Sequence, residues 1–226
     1  WLDNLEDFLD GYTLDEIDQL VTENEIFIER TRGVGLITQQ QIFSYGLTGP
    51  VMRGSGVAWD LRKTNPYAAY DLLDFEIPVF TEGDVYARYL VRLNEMYQSC
   101  RILRQCLAEL RKLPIDAATN VDMPQVVAPD ITRVPVDMEA MINHFKLVMH
   151  GVQPEPGEAY FGIENPKGEL GFYFVSDGTG KPYRCHVRSP SFVNLSIIEE
   201  ISVGALIADV VAIIGSVDIV LGEVDR

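Results

Sequence analysis

The chain has 226 residues, enough for one large domain or two small ones with a real hydrophobic core, which excludes a small disulfide-held scaffold. Hydrophobic residues make up 47% and charged residues 23%, a globular balance that fits neither a disordered tail nor a collagen-like or low-complexity chain. Acidic residues number 34 against 18 basic ones, and the formal charge of -16 repels nucleic-acid phosphate and anionic lipid, so no nucleic-acid partner is expected.

The chain opens on Trp1, and Asp3, Glu6, Asp7 and Asp10 precede any Lys or Arg. A signal peptide has the opposite charge. A non-Met start inside a helical pattern leads us to expect a piece of a longer polypeptide. Leu2, Leu5 and Leu9, then Leu14, Ile17, Leu20 and Val21, recur at helical spacing on either side of Gly11 and predict two short helices or one interrupted helix. From Gly33 to Pro66 six glycines punctuate the chain, Gly33, Gly35, Gly46, Gly49, Gly54 and Gly56, around a short helix near Gln39 to Tyr45. Arg53-Gly54-Ser55-Gly56 could cradle an anion on backbone N–H groups, yet it matches neither the dinucleotide nor the phosphate-loop pattern, so a shaped loop is expected. Phe75, Ile77 and Val79 alternate with polar or conformationally rigid neighbours and predict a short edge strand, with Pro78 near its end.

Val85, Tyr89, Leu93, Met96, Cys100, Leu103, Leu107 and Leu110 then step by three or four residues, with Asp84 placed to cap and Pro114 to stop. This predicts a long amphipathic helix. Arg88, Arg92, Arg101 and Arg104 fall off its apolar stripe and are expected on a solvated face, or failing that at a subunit interface. Pro114, Pro124, Pro129 and Pro135 mark an extended connection. Asp137 next caps a helix with Met138, Met141, Ile142, Phe145, Val148 and Met149 on one face, closed by Gly151.

Ala159 to Ile163, Glu169 to Val175 and Tyr183 to Val187 read as strands of a small antiparallel sheet, the last two joined through Asp177, Gly178, Thr179 and Gly180. Between the first two, Glu164 and Lys167 flank a proline-fixed turn, expected to be exposed with a marginal ion pair. Asn194 is expected to cap a helix through Ile201, and the apolar run Ala205 to Ile214 to form a helix buried all round. Broken by Asp209, the apolar stretch Ile201 to Val217 falls short of the roughly 20 residues that a membrane helix needs. The fold class that follows is α+β, mainly helical with a small antiparallel sheet. Along the chain it divides into a helical region over residues 1–113, a proline-rich connection over 114–135, and a helix, sheet and closing helices over 136–226.

Few residues carry independent chemistry. His144 and His150 are six apart, which turns them about 240° from each other on a helix, and His186 stands alone, so no zinc site is expected of them. Cys100, Cys106 and Cys185 form no C-x-x-C pair and suggest a reducing compartment. The closing run Asp218-Ile219-Val220-Leu221-Gly222-Glu223-Val224-Asp225-Arg226 is more apolar than a solvated acidic tail.

A series of short motifs spans the whole chain. It comprises Gly46 to Gly56 with Met52-Arg53, Trp59-Asp60-Leu61-Arg62-Lys63, Pro66-Tyr67, Gly83-Asp84, Arg88-Tyr89, His144-Phe145-Lys146 and Pro166-Lys167-Gly168-Glu169. Val175-Ser176-Asp177-Gly178, Pro182-Tyr183-Arg184, the run Ala208 to Ile214 and the closing Gly222 to Arg226 complete it. Together they resemble the C-terminal portion of the D-subunit family of respiratory NADH:quinone oxidoreductase (complex I). That family is related to the large subunit of nickel-iron hydrogenases, and the resemblance implies a hydrogenase large-subunit-like fold without its N-terminal portion.

Against the relative's metal motif, D-P-C-x-x-C-x-x-H/R, Asp218 holds the Asp place, Val220 and Glu223 the two Cys places, and Arg226 the basic place. A soft nickel-iron centre requires thiolates, so these vestigial positions imply no metal and no cofactor bound by this chain. An aliphatic recess at Val220 beside Asp218 suits a quinone head instead. The resemblance implies that Asp218 and Val220 line a quinone chamber with Lys167 close by, Asp218 as a possible proton relay. It also implies that a His and a Tyr binding the headgroup lie before Trp1.

Flavin and iron-sulfur clusters are expected in partner subunits, above all the terminal cluster in the neighbour across the chamber. The assembly is expected on the cytoplasmic side of the inner membrane, peripheral, coupled to ion translocation by the membrane arm. By itself the piece is not expected to turn over. The large subunit of a membrane-bound hydrogenase, or of a deazaflavin- or ferredoxin-dependent quinone reductase, is the alternative. Missing thiolates argue against the first, and this chain does not read the electron donor that separates the others.

Overall fold

The computed structural model describes residues 14–114 and 123–225, together with Asn4, Ala117 and Val121. The first half of the expected N-terminal helical pattern, with Leu2, Leu5, Leu9 and Gly11, lies outside them, as do Arg226 and some of the proline-rich connection. The described residues form two compact units. One is drawn from the stretch up to Leu110, from 162–171 and from Arg188 onward; the other comes from 111–161 and 172–187.

The first unit is built around a 26-residue helix. In chain order its elements are α1 (Leu14–Ile17), which runs on into a wide helical turn at Asp18–Thr22, α2 (Glu25–Thr31), α3 (Gln39–Tyr45), α4 (Pro50–Arg53), α5 (Leu61–Thr64) and α6 (Val85–Leu110). Local chemistry sets most of these starts. Thr38 and Gln41 form a capping box at α3, and Gly46 ends it in the left-handed conformation. Asp84 starts α6 by accepting from Ala87 N at 2.7 Å, while its other oxygen takes Gly33 N at 2.8 Å, tying the glycine-rich segment to the helix. Helix α2 went unread in the sequence; its signal is Asn24, whose side chain accepts from Ile26 N and Phe27 N.

Residues 75–79 are a correction. They take no regular secondary structure and join no sheet, and Phe75 is buried. Side chains of α6 replace a partner strand: Gln105 accepts from Asp74 N at 2.8 Å and Gln98 from Glu76 N at 3.0 Å. A segment outside any sheet satisfies its backbone in this way without a ladder.

The sheet is three-stranded and antiparallel in the order β1 (Gly157–Asn165), β2 (Gly168–Ser176), β3 (Arg184–Arg188), so the α+β fold class stands. Four short helices follow: α8 (Pro190–Leu195), α9 (Ile198–Ser202), α10 (Ile207–Val217) and α11 (Leu221–Val224), with α7 (Met138–His150) preceding the sheet. Ser189, not Asn194, caps α8. Asn194 is fully buried, where its amide pairs with Thr48 N at 3.2 Å, Thr48 O at 3.3 Å and Lys167 O at 3.1 Å. Nor is α10 buried all round: Asp209, Ile213, Ser216 and Val217 face inward while Ile207 and Val211 stand exposed. The apolar core of the first unit gathers Ile42, Leu47, Val51, Val85, Ile197 and Ile213.

The second unit contains α7, capped by Asp137 and closed by Gly151 at φ +71° as its sequence predicts. Its apolar face is uncovered. Met138, Phe145, Val148 and Met149 are exposed, and Ala140 alone among the described residues of the helix is buried. No described helix is long and apolar enough to cross a membrane.

Candidate functional site

The first unit buries a cluster of charges. Arg53, at the end of α4, is 1% exposed, and its guanidinium donates from Nε to Glu95 of α6 at 2.7 Å and from Nη1 to Glu164 of β1 at 2.8 Å. Nη1 also reaches the Trp59 carbonyl at 2.9 Å. Asp60 is fully buried 3.8 Å from the same nitrogen, and it accepts both from the Arg62 side chain and from Arg62 N, thereby capping α5. Glu164 further accepts from Leu61 N at 3.2 Å. An unpaired guanidinium in a protein interior is prohibitively costly, so Arg53 is tolerable only with these carboxylates facing it. Burial alone would lower its pKa, but Glu95, Glu164 and Asp60 outweigh that and hold it above the usual value. Burial pushes the carboxyls of Glu95 and Glu164 up, against the pull of Arg53.

The turn between β1 and β2 therefore differs from its sequence reading. Glu164 and Lys167 are neither exposed nor paired with each other: Glu164 goes to Arg53, and Lys167 forms an ion pair with Asp218. Glycines make this possible. Gly168 has φ +136°, and a Cβ there would lie 2.5 Å from Thr48 Oγ1; Gly49, at φ +75°, faces it with room for no Cβ, 2.6 Å from Gly168 Cα. The turn thus docks backbone to backbone against the start of α4.

Asp218 ends α10 in the left-handed conformation, φ +59°, which a short polar side chain tolerates better than most. Besides Lys167, its Oδ2 lies 3.6 Å from Nε of Arg92 on α6. Asp218 and Arg92 open onto a cavity of about 730 Å³. The Arg53, Glu95 and Glu164 cluster forms its charged side, and Ile17, Tyr70, Tyr89, Leu93 and Met96 its apolar side. Such a hollow, largely aromatic and aliphatic with a few convergent polar groups, is the usual form of a small-molecule site.

Of the four arginines of α6 read as solvated, Arg104 is exposed and Arg101 largely so, but Arg88 and Arg92 turn inward. Arg88 is fully buried, donating to Ser216 Oγ at 3.0 Å, Gly83 O at 2.9 Å and Gly35 O at 2.9 Å. Burial and the neighbouring Arg92 cation push its pKa down, with Asp84 opposing. Arg92 is largely enclosed, and Arg101 pairs with Asp74. Arg88, Arg92 and Glu95 sit four and three residues apart on one helix face. That spacing was the available signal for an inward charged stripe, hidden because charge at helical period normally faces water.

The remaining predicted site residues separate. Val220, half-exposed, presents its backbone N–H to Ser191 Oγ at 3.3 Å and is not among the residues lining the cavity. Glu223 is hydrogen-bonded to the Ser191 hydroxyl. Arg226 lies outside the described residues. Among the described residues no three His, Cys, Asp or Glu side chains converge as metal ligands would. A hydrocarbon at Val220 and an engaged carboxylate at Glu223 do not fit a nickel-iron centre.

Comparison with known proteins places this geometry in context. All of the chain, residues 1–226, matches the family described as "Respiratory-chain NADH dehydrogenase, 49 Kd subunit". It is 53% identical over 228 residues to the NADH-quinone oxidoreductase D subunit of Methylacidiphilum infernorum (isolate V4), covering 100% of this chain and 54% of that protein. The D 2 subunit of Koribacter versatilis (strain Ellin345) is 49% identical, with 100% of this chain and 56% of the relative covered. The D subunit of Azoarcus sp. (strain BH72) is 50% identical, with coverage of 99% and 54%. The chain thus spans about half the length of these curated relatives, and it belongs to the 49 Kd subunit family of respiratory-chain NADH dehydrogenase.

Proposed function

We propose that the chain contributes one wall of the chamber in which NADH:quinone oxidoreductase reduces a quinone, as a core subunit of the peripheral arm. The observation that carries this reading is the Asp218 carboxylate, held by Lys167 and facing Arg92, at the rim of a cavity of about 730 Å³ with an aromatic and aliphatic side. A ring-shaped, amphipathic substrate suits that combination. Full-length coverage by the family and the names of the relatives support it.

In this reading flavin and iron-sulfur clusters sit in partner subunits, the terminal cluster in the neighbour across the chamber. This chain binds quinone as substrate and no cofactor. The complex lies on the cytoplasmic side of the inner membrane, its peripheral arm joined to a membrane arm that translocates ions. The chain alone does not turn over. Reduction by two electrons leaves negative charge on the ring oxygens and requires two protons in a secluded site, where a fixed carboxylate can relay protons or bias their arrival. Asp218 takes that role, held in position by its ion pair with Lys167.

The test uses the complete enzyme. Asp218→Asn should slow quinone reduction by about tenfold or more while the complex still assembles. Loss of assembly with normal turnover per remaining complex would make the residue structural and end the relay reading. Val220→Met should alter quinone or inhibitor affinity if that side chain reaches the wall; unchanged affinity removes it.

A further inference from the structure

We propose that Arg92 is a binding residue of the same chamber, whose Nε and Nη2 edge takes an oxygen of the quinone headgroup and grips it more strongly once reduction makes that oxygen anionic. This rests on the quinone reading of the cavity and assigns within it a residue that neither the sequence nor the relatives' names single out.

The argument begins with hydrogen-bond satisfaction. Arg92 Nη1 donates to the Arg88 carbonyl at 3.1 Å. Nε and Nη2 are buried, and no acceptor among the described residues lies within hydrogen-bond reach of either. Asp218 Oδ2, at 3.6 Å from Nε, is too far for a hydrogen bond and is engaged by Lys167. Arg53 and Arg88 satisfy their guanidinium groups with protein acceptors a few ångströms away, so the chain is able to saturate a buried arginine where structure alone is at stake. Buried donors left open are uncommon and call for a specific cause.

Geometry then narrows the ligand. Nε–H and Nη2–H are the parallel pair of a guanidinium, the edge that takes two adjacent oxygens or chelates one. Arg92 lines the cavity, and Tyr89, Leu93 and Met96, on neighbouring turns of α6, line it too. A flat ring against those side chains brings a ring oxygen to the guanidinium edge. A neutral carbonyl is a modest acceptor, whereas the oxygen of a quinol monoanion makes a charge-assisted bond. That monoanion forms when the ring gains two electrons, delivered from the iron-sulfur cluster of a partner subunit, and one proton from water; a second proton, also from water and relayed by Asp218, completes the quinol. Because the bond strengthens as charge develops, it accelerates the step more than it tightens substrate binding. Burial, opposed by Asp218 and Glu95, pushes the Arg92 pKa down, so a new negative neighbour is favourable there.

Two measurements on the complete enzyme test this. First, a photoreactive short-chain quinone is applied to the wild-type complex; label in peptides of α6 or of the turn 164–168 supports the chamber reading. Second, turnover with a short-chain benzoquinone is compared in Arg92→Gln, Arg92→Lys and Arg92→Ala. Arg92→Gln should lower kcat roughly ten- to a hundredfold with a much smaller change in KM, and Arg92→Lys should fall between it and wild type. Added guanidinium ion should restore some of the turnover of Arg92→Ala, which a purely structural role would not allow. Label at α6 with unchanged kcat in assembled Arg92→Gln overturns the role of Arg92 and leaves the chamber standing, as does reduced assembly with normal turnover per complex. Absence of label from both segments overturns the chamber reading and this inference together.

Discussion

The two units invert the common relation between polarity and burial. In the first, Arg53, Asp60 and Arg88 are sealed from water, each held by several oriented partners. In the second, α7 presents a continuous apolar face to the exterior, with Phe145 58% and Val148 69% exposed. Periodicity identified both α6 and α7 as helices, and both segments are helical. What it could not say is which face another surface covers. Charge enters a core where partners await it, and contiguous apolar surface of this kind is typical of a face that meets other molecules.

The contrast can be broken most severely at Arg53. Arg53→Met removes the cation that Glu95 and Glu164 share and should destabilise the fold by about 3–5 kcal/mol, read as a lower melting temperature or loss of assembled complex. Further replacement of both glutamates by glutamine should recover some of that loss; if it recovers none, the carboxylates are not what Arg53 supports. Next in size is Gly49→Ala, whose Cβ would collide with the backbone of Gly168, at an expected cost of about 2–3 kcal/mol together with slower quinone turnover as Lys167 shifts from Asp218. Gly151→Ala in the second unit meets a similar backbone strain but open space, so it should cost less than Gly49→Ala, about 1–2 kcal/mol. Equal melting shifts for the two glycine variants would show that docking of the turn is unimportant.

A smaller effect should appear with pH. Burial raises the pKa of Glu95 and Glu164 above the ordinary 4.5, so the folded chain binds more protons than the unfolded chain between that value and the raised ones. Their contribution to stability is fully present below the ordinary value and is lost as pH rises through the folded values. Melting temperatures taken from about pH 4.5 upward should fall less steeply for Glu95→Gln than for wild type; parallel curves would mean that Glu95 is not strained by burial. Smallest of all is Phe145→Ser, expected to change the stability of the second unit by under about 0.5 kcal/mol. A large loss there would show that the apolar face of α7 is covered in the folded chain.

Much of the framework was legible because local chemistry sets it. The bounds of α3, α6 and α7 follow from Thr38, Asp84, Asp137, Gly46 and Gly151, and the strands from alternation and turn residues. The failures share a different cause. Residues 75–79 looked like a strand because alternation does not reveal whether a neighbouring strand exists to receive the backbone. Asn194 looked like a cap because its amide serves a segment far along the chain, Thr48. The candidate site was half legible: Asp218 and Lys167 were picked out through resemblance, whereas Arg92, Glu95 and Glu164 were not, since a charged residue in a helix or strand reads as solvated unless its partner is known.

The order of residues along the chain thus settled the helical and strand segments, the balance of the fold class and the family, all of which depend on neighbours within a few positions or on motifs read in a row. Only packing could decide that Arg53 meets Glu164 across 111 positions and that Asn194 meets Thr48 across 146. The physical reason is that an ion's cost or benefit depends on what surrounds it after folding. Arginine is equally at home in water or among carboxylates, and only the packed chain reveals which environment it has.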